Sequence, residues 1–405
     1  MLSESALNNL IQPIIDRQEA INTYVLTQIA KRVKDIGTML PSDIHKLERL
    51  LRSGNDVRLI NKFLSDQTGL NEKAIKKLIK DIAQDSYVDA KPYYDYRHKS
   101  FIPFENNIEL QKVVKAIAVT TAESYVNLSN SKAIGFMIRD LKKPKILKFH
   151  SIQQTYQTVV DEAIQAVQSG VIDYNTAMRR TMQQLVDSGV RRMYWESGYS
   201  QRLDTAIRRN ILDGVRAINQ GVQDETGKQF EADGKEITVH ENSAPDHEPV
   251  QGHQFTNEEY DKLQNDKSFK DINGIKFQPI ARAIGTLNCR HFTYSIIIGH
   301  SKPIHSIEEL EKMKERNAKG YTAPNGKHYT MYECTQKQRE LETLIRKNKD
   351  GQIAARESGD EELAKKYQAK INKYTNQYKA FSGACGLSVK LKRASVSGYR
   401  KISTK

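Results

Sequence analysis

The sequence is short of several things, and each shortage excludes a class of protein. Its three cysteines, Cys289, Cys334 and Cys385, are too few and too widely spaced for a disulfide framework, so they read as reduced thiols in a reducing compartment. No apolar run approaches the roughly 20 residues that a membrane helix needs. The opening stretch MLSESALNNL lacks the basic start and short apolar core of a secretory signal, which leads us to expect folding in a cytoplasm. There is no Walker loop, no dinucleotide glycine pattern, no helix-turn-helix signature and no evident pair of catalytic carboxylates. A motor, a nuclease or a transcription factor is therefore not what the motifs suggest.

What is abundant is positive charge and helical periodicity. The 405 residues carry a formal net charge of +14, a balance that favours nucleic acid or acidic protein surfaces. From Met331 onward 17 Lys and Arg face 8 Asp and Glu, a net +9. The last segment, from Ser382, holds Lys390, Lys392, Arg393, Arg400, Lys401 and Lys405 and no acid. Lys142, Lys143, Lys145 and Lys148 surround Pro144 in a second basic stretch. Both could neutralise DNA phosphates without reading bases, although a solvated tail and loop explain the charge as well.

The spacing of apolar residues predicts helices through the first two hundred positions. Leu7, Ile11, Ile14, Ile21, Val25, Ile29, Val33 and Ile36 form one face, with Pro13 the sole interruption. Ser42 reads as the cap of a short helix, and Asn71 as the cap of one bearing Ile75, Leu78 and Ile82. Further helices are expected at 107–127, 151–169, 175–188 and 200–222, with Gly170 and Gly189 as stops. From Gly227 to His300 turn residues replace helical spacing. Residues 236–240 suit a strand, Asn273-Gly274 a hairpin turn, and Phe292, Tyr294, Ile296 and Ile298 a strand buried on one face. Helix returns after Ser306. The seam Leu363, Tyr367, Ile371, Tyr374, Tyr378 and Phe381 suits an antiparallel helical hairpin over 332–381, with a parallel oligomeric coil as the alternative.

The expected architecture is mainly α with a small α+β module. It comprises a helical array (1–222), a mixed module (223–305), C-terminal helices (306–381) and a basic tail (382–405).

The residues with chemistry gather in that module. His247, His253, Cys289 and His291 offer imidazole and thiolate, the donors zinc prefers, and Cys289 and His291 share one side of a strand. Three readings stay open. The group can be a hydrogen-bonded lock on the loop 240–255, a zinc site, or a Cys289–His247 nucleophilic pair flanked by Asp246 and Glu248. Asp204 suits an i,i+4 pair with Arg208, and Arg208 and Arg209 could hold carboxylate or phosphate. With Gly252, Tyr332 and Arg339 they are expected to anchor the module to its neighbouring helices.

Four clusters carry a resemblance. They are Ser197-Gly198 with Arg202-Leu203-Asp204, Ala206 and Arg208-Arg209; His240, Pro245, His247 and Gln251-Gly252; Asn288-Cys289-Arg290-His291 with Gly299; and Tyr329-Thr330, Tyr332-Glu333, Thr335-Gln336, Gln338-Arg339, Glu342 and Ile345-Arg346. In this order they resemble the minor capsid proteins of Gram-positive tailed phages, a family related to the F head-morphogenesis protein of phage Mu. Ala244 and Val250 depart from its pattern, where an arginine and an aromatic are usual. The resemblance implies a structural, non-enzymatic head component, made in the host cytoplasm and carried in the virion. Its expected partners are the portal or major capsid protein and double-stranded DNA, with no membrane. The alternative is a metal-dependent hydrolase or nuclease packaged in the particle.

Overall fold

The computed structural model describes residues 4–37, 55–139, 146–169, 174–265, 268–271, 274–278, 280, 282–286 and 289–404. The fold is mainly α with small antiparallel sheets. Its helices are α1 (Glu4–Gly37), α2 (Asn55–Val88), α3 (Lys91–Tyr96), α4 (Ile108–Leu128), α5 (Ile152–Ser169), α6 (Tyr174–Ser188), α7 (Leu203–Gln229), α8 (Asn257–Gln264), α9 (Ile307–Lys319), α10 (Met331–Glu357) and α11 (Glu361–Ala384). The chain forms two compact units. One gathers Met1–Leu10, Lys73–Ser124 and Arg209–Gln336; the other gathers Ile11–Glu72, Tyr125–Arg208 and Lys337–Lys405.

In the first unit a three-stranded sheet, ordered β6 (Gln254–Thr256), β5 (Gly234–Ile237), β9 (Thr293–Ile296), lies beside α7. The side chains of Gln220 and Gln223 on α7 accept the outward N–H groups of Thr293 and Ser295, each at 3.0 Å. The helix thus closes the free edge of β9, which would otherwise invite another strand. Thr293 and Ser295 are buried along with Phe292 and Ile296, so β9 is covered on both faces rather than one. Further along α7, Gly214 and Gly221 sit against Thr121, Ile117 and Val113 of α4. A Cβ on Gly214 would lie 2.4 Å from Thr121, so close helix approach depends on the missing side chain. An aromatic and aliphatic core of Ile237, Val250, Phe255, Leu263, Phe277, Ile280 and Ile284 fills the other side of the sheet. The hairpin expected around Asn273-Gly274 is present as β7 (Phe269–Lys270) paired with β8 (Lys276–Phe277). Gly274 takes the positive φ of 77° that the turn requires, while Asn273 lies outside the described residues.

Three expectations fail in the second unit. Strands were not expected here, yet β1 (Ile134–Arg139), β2 (Leu147–Ser151), β3 (Arg191–Tyr194) and β4 (Tyr199–Arg202) build a sheet in the order β2-β1-β3-β4. Asn71 is no cap. It is fully buried inside α2, where its amide accepts from Arg17 and donates to the Ile14 carbonyl and to Tyr125 Oη. Its polarity serves a tertiary network, a use that local spacing cannot reveal.

The residues after α11 are no free tail. Gln352 donates to the Arg400 carbonyl at 2.8 Å, and the buried Gln368 accepts from Tyr399 Oη and Ile402 N at 3.0 and 3.1 Å. Ala394 is 1% exposed in a core with Leu341, Ile345, Ile371 and Tyr378, so the segment packs along the α10–α11 hairpin. The expected helix capped by Ser42 and the stop at Gly170 lie outside the described residues.

Candidate functional site

Two polar assemblies are built into the cores, one in each unit. In the first unit the loop after β5 makes two tight turns, with His247 N bonded to the Ala244 carbonyl and Gln251 N to that of His247. Gly252 ends the loop at φ 75° and hydrogen-bonds Ile237 O at 2.8 Å. A Cβ there would approach Leu310 to 2.6 Å, which explains the glycine by backbone sign and crowding together. The loop delivers His247 to the mouth of β9, where Cys289 and His291 enter. Cys289 Sγ stands 3.3 Å from His247 Nδ1 and 3.5 Å from His291 Nδ1. The outer ring nitrogens reach protein oxygens: His247 Nε2 the Arg282 carbonyl at 2.7 Å, His291 Nε2 the Gln251 Oε1 at 3.3 Å.

Burial alone would lower the basicity of His247, but its bonds to Cys289 and the Arg282 carbonyl outweigh that and raise its pKa. Burial likewise opposes ionisation of Cys289, and the bond to His247 reverses the balance, leaving the thiol below its usual range. His291 is pushed down to about 2 by burial and by neighbouring His240 and His247, so it is a neutral imidazole.

His247, Cys289 and His291 are thus brought together, with His240 edge-on to His291 at 4.6 Å between ring centroids. His253 is not among them. Six residues beyond His247 the chain is about to enter β6, and that ring packs on Phe255 and Phe277 while burial lowers its pKa. Asp246 is engaged by Arg282 at 2.8 Å and Glu248 by Asn317 at 2.6 Å, so the two flanking carboxylates brace the loop. All three donors are at most 5% exposed. A substrate would have to open the module to reach them, which suits a structural knot better than a catalytic pair.

In the second unit, five charged side chains share one buried site. Arg346 meets Glu19 at 3.2 Å and Asp204 at 3.1 Å, and also donates to the Arg393 carbonyl at 2.7 Å. Arg202 lies 3.3 Å from Asp204 and 3.9 Å from Asp350; Asp350 accepts from Asn22 and Thr23. Burial raises Glu19 to about 8 and Asp350 to about 6, whereas Arg202 and Arg346 overcome burial at Asp204 and lower it. With Glu19 protonated at neutral pH, two arginines face two carboxylates and the site balances. Asp204 thus has Arg202 and Arg346 as partners from outside its own helical turn, which the spacing to Arg208 did not reveal. Arg208 is half-buried and Arg209 exposed.

These two assemblies join the sequence clusters in pairs. The second and third clusters make the His–Cys knot, and the first and fourth make the charge network through Asp204 and Arg346. Tyr332 N bonds Asn317 of α9 at 2.9 Å, and half-buried Arg339 receives Thr343 Oγ1 at its carbonyl. In comparison with known families, residues 2–382 match the family described as phage minor capsid protein 2. The chain belongs to this family. No curated protein and no solved structure matches it. As a minor capsid protein it has a structural role in a bacteriophage head, is a virion component, and works among other head proteins. Among the described residues no helix is long and apolar enough to cross a membrane.

Sequence reasoning missed Glu19, Asp350 and Trp195. Trp195, the sole tryptophan, stands 64% exposed in the turn between β3 and β4 and is edge-on to Phe149; Tyr199, which opens β4, is exposed as well. Of the basic residues, Lys392, Arg400 and Lys401 are exposed and Lys390 and Arg393 half-buried. Lys142, Lys143 and Lys145 lie outside the described residues.

Proposed function

We propose that this protein is a low-copy head component that docks on the portal or the inner capsid wall through the β3–β4 hairpin and touches packaged DNA through its C-terminal segment. The observation that carries the docking half is the exposed aromatic pair of the β3–β4 hairpin, Trp195 at 64% and Tyr199 at 55%, with Trp195 edge-on to Phe149. Tryptophan and tyrosine are the side chains that anchor protein interfaces, because they bury much area with few torsions to freeze. Left in water, such side chains are costly; pressed on a neighbouring head protein, they are anchors.

DNA contact is supported by charge placement in the same unit. Lys365, Lys370, Lys373 and Lys379 are exposed on α11, and Lys392, Arg400 and Lys401 are exposed on the segment packed along it. A rigid row of cations contacts phosphate with less ordering cost than a floppy tail, and it carries no sequence preference.

The test has two arms. In phage carrying Trp195→Ser, mass spectrometry of purified heads should find the protein reduced to background while the soluble variant stays folded. A normal copy number in mature heads would refute docking by this patch. For DNA, the full chain should show affinity falling steeply with salt, each lost phosphate contact flattening the log–log slope by about 0.9. Replacing Lys392, Arg400 and Lys401 by Glu should flatten it; an unchanged slope sinks the DNA assignment.

A further inference from the structure

We infer that His247, Cys289 and His291 form a zinc site that pins the loop 244–252 to the entrance of β9.

The Arg282 carbonyl can only accept, so the His247 Nε2 that lies 2.7 Å from it carries the hydrogen. Gln251 Oε1 is identified as oxygen by a second bond, from the His240 backbone N–H at 3.0 Å. His291 Nε2 therefore also donates. With both hydrogens on Nε2, both Nδ1 atoms present lone pairs, and both are aimed at one sulfur. A thiol has a single hydrogen. It can satisfy one nitrogen, and the other is left facing a sulfur lone pair away from water, the costly condition for a buried acceptor. Moving the thiol hydrogen onto His247 does not help, because His291 Nδ1 then faces a thiolate.

One cation removes the conflict. A thiolate and two neutral imidazoles, all directed inward, are the donor set zinc takes, whereas magnesium and calcium take oxygen. The spacing agrees. Zinc bonds of about 2.3 Å to sulfur and about 2.0–2.1 Å to nitrogen, at the tetrahedral angle, put sulfur about 3.5 Å from each nitrogen. The observed sulfur–nitrogen separations are 3.3 and 3.5 Å; the two nitrogens, within 4.8 Å of each other, would draw in to about 3.3 Å around the ion. The outer contacts fit as well, since a metal-bound imidazole normally passes its other N–H to a carbonyl or carboxylate. Arg282 O and Gln251 Oε1 do this here, and Asp246 in turn holds Arg282. A fourth coordination position is left for a water or for the imidazole of His240. Such a site would replace apolar packing in a loop rich in Pro, Gly and charge, where the chain offers few side chains for a core.

The experiment is metal analysis of the full chain produced with zinc in the medium, followed by cobalt titration of the metal-stripped protein. About one zinc per chain is expected, and Cys289→Ser should reduce it to background. Cys334→Ser, which alters another buried thiol, should leave it unchanged. Because Cys289→Ser could misfold, the cobalt spectrum of the unmodified chain is the decisive reading. It should show intense tetrahedral bands together with a thiolate-to-cobalt transition. Gln251→Leu should weaken zinc binding by about 10–100-fold, the usual effect of losing an outer-sphere partner. A chain that takes up no zinc when offered it, a cobalt spectrum lacking the sulfur transition, or full zinc retention in Cys289→Ser would each overturn the assignment.

Discussion

The His–Cys knot and the Arg346 network solve the same problem with different materials. Each ties segments far apart in sequence at the centre of a compact unit, and each is buried. The network sets Arg202 and Arg346 against Asp204 and Asp350, so removing any of these four leaves a charge uncompensated in a medium that solvates charge poorly. The knot uses donors that are neutral or shared, so its loss exposes acceptors and not ions. The comparison teaches that burial sets the penalty, while the chemical identity of the donors sets what else the site can do. Only the knot has lone pairs that converge on a point.

The largest effect should follow from Arg346→Met. Asp204 would keep only Arg202, and Glu19 would lose its cation, in a site where Arg346 and Asp204 side chains are 14% and 9% exposed. Breaking a buried pair from one side costs about 3–5 kcal/mol, which urea denaturation would register. A loss below about 1 kcal/mol would mean that water enters the site and that the contrast with the knot is false.

The next effect is a pH dependence, and its sign is fixed. Glu19 titrates near 8 when folded against an ordinary 4.5, so between those values the folded chain holds a proton that the unfolded chain has released. Stability from this group is complete below pH 4.5 and declines as pH rises through 8. Asp350, at about 6 against 3.8, acts in the same sense over a lower window. Glu19→Gln should therefore flatten the thermal midpoint between pH 6 and 9, where the unmodified chain falls. Parallel profiles would show that Glu19 is ionised throughout.

A smaller loss, about 1–2 kcal/mol, is expected for Cys289→Ala in zinc-free buffer, where one weak hydrogen bond and a small volume disappear. The same change in zinc-saturated protein should cost more, and the difference measures what the metal adds. Equal losses with and without zinc would reduce the knot to hydrogen bonds alone.

Legibility in the sequence followed the range of the interactions. Helical periodicity placed α1, α4, α5, α6 and the α10–α11 hairpin because each buries a continuous stripe, as Ile11, Ile14, Ile21, Val25 and Ile29 do. The β1–β4 sheet escaped because its strands are four to six residues long, and RRMY and YSQR show no apolar alternation. Asn71 deceived because an asparagine before an apolar run looks the same whether it caps or bonds across the core. At the site, the two-residue spacing of Cys289 and His291 put them on one side of an expected strand, and the structure brings them together in the segment that precedes β9 instead. His247 was a guess across 42 residues that only the loop's turns could justify. His253 was chemically as good a candidate, yet its neighbours in space are phenylalanines. The charge network was half visible, since Asp204 and Arg346 stood in separate motifs that nothing local connected.

The smallest effect tests the lesson on burial most directly. Lys366 and Glu362 form an i,i+4 pair on α11 at 2.5 Å, shorter than the 3.1 Å between Arg346 and Asp204. Ranked by distance, the exposed pair should matter more. Ranked by environment, it should hardly matter, because its side chains are 58% and 66% exposed and water and salt screen them. A double-mutant cycle with Lys366→Ala and Glu362→Ala should give a coupling near the error of the measurement and one that vanishes in high salt. If that coupling rivals the one between Arg346 and Asp204, proximity governs both, and burial would no longer explain why the network holds the second unit together.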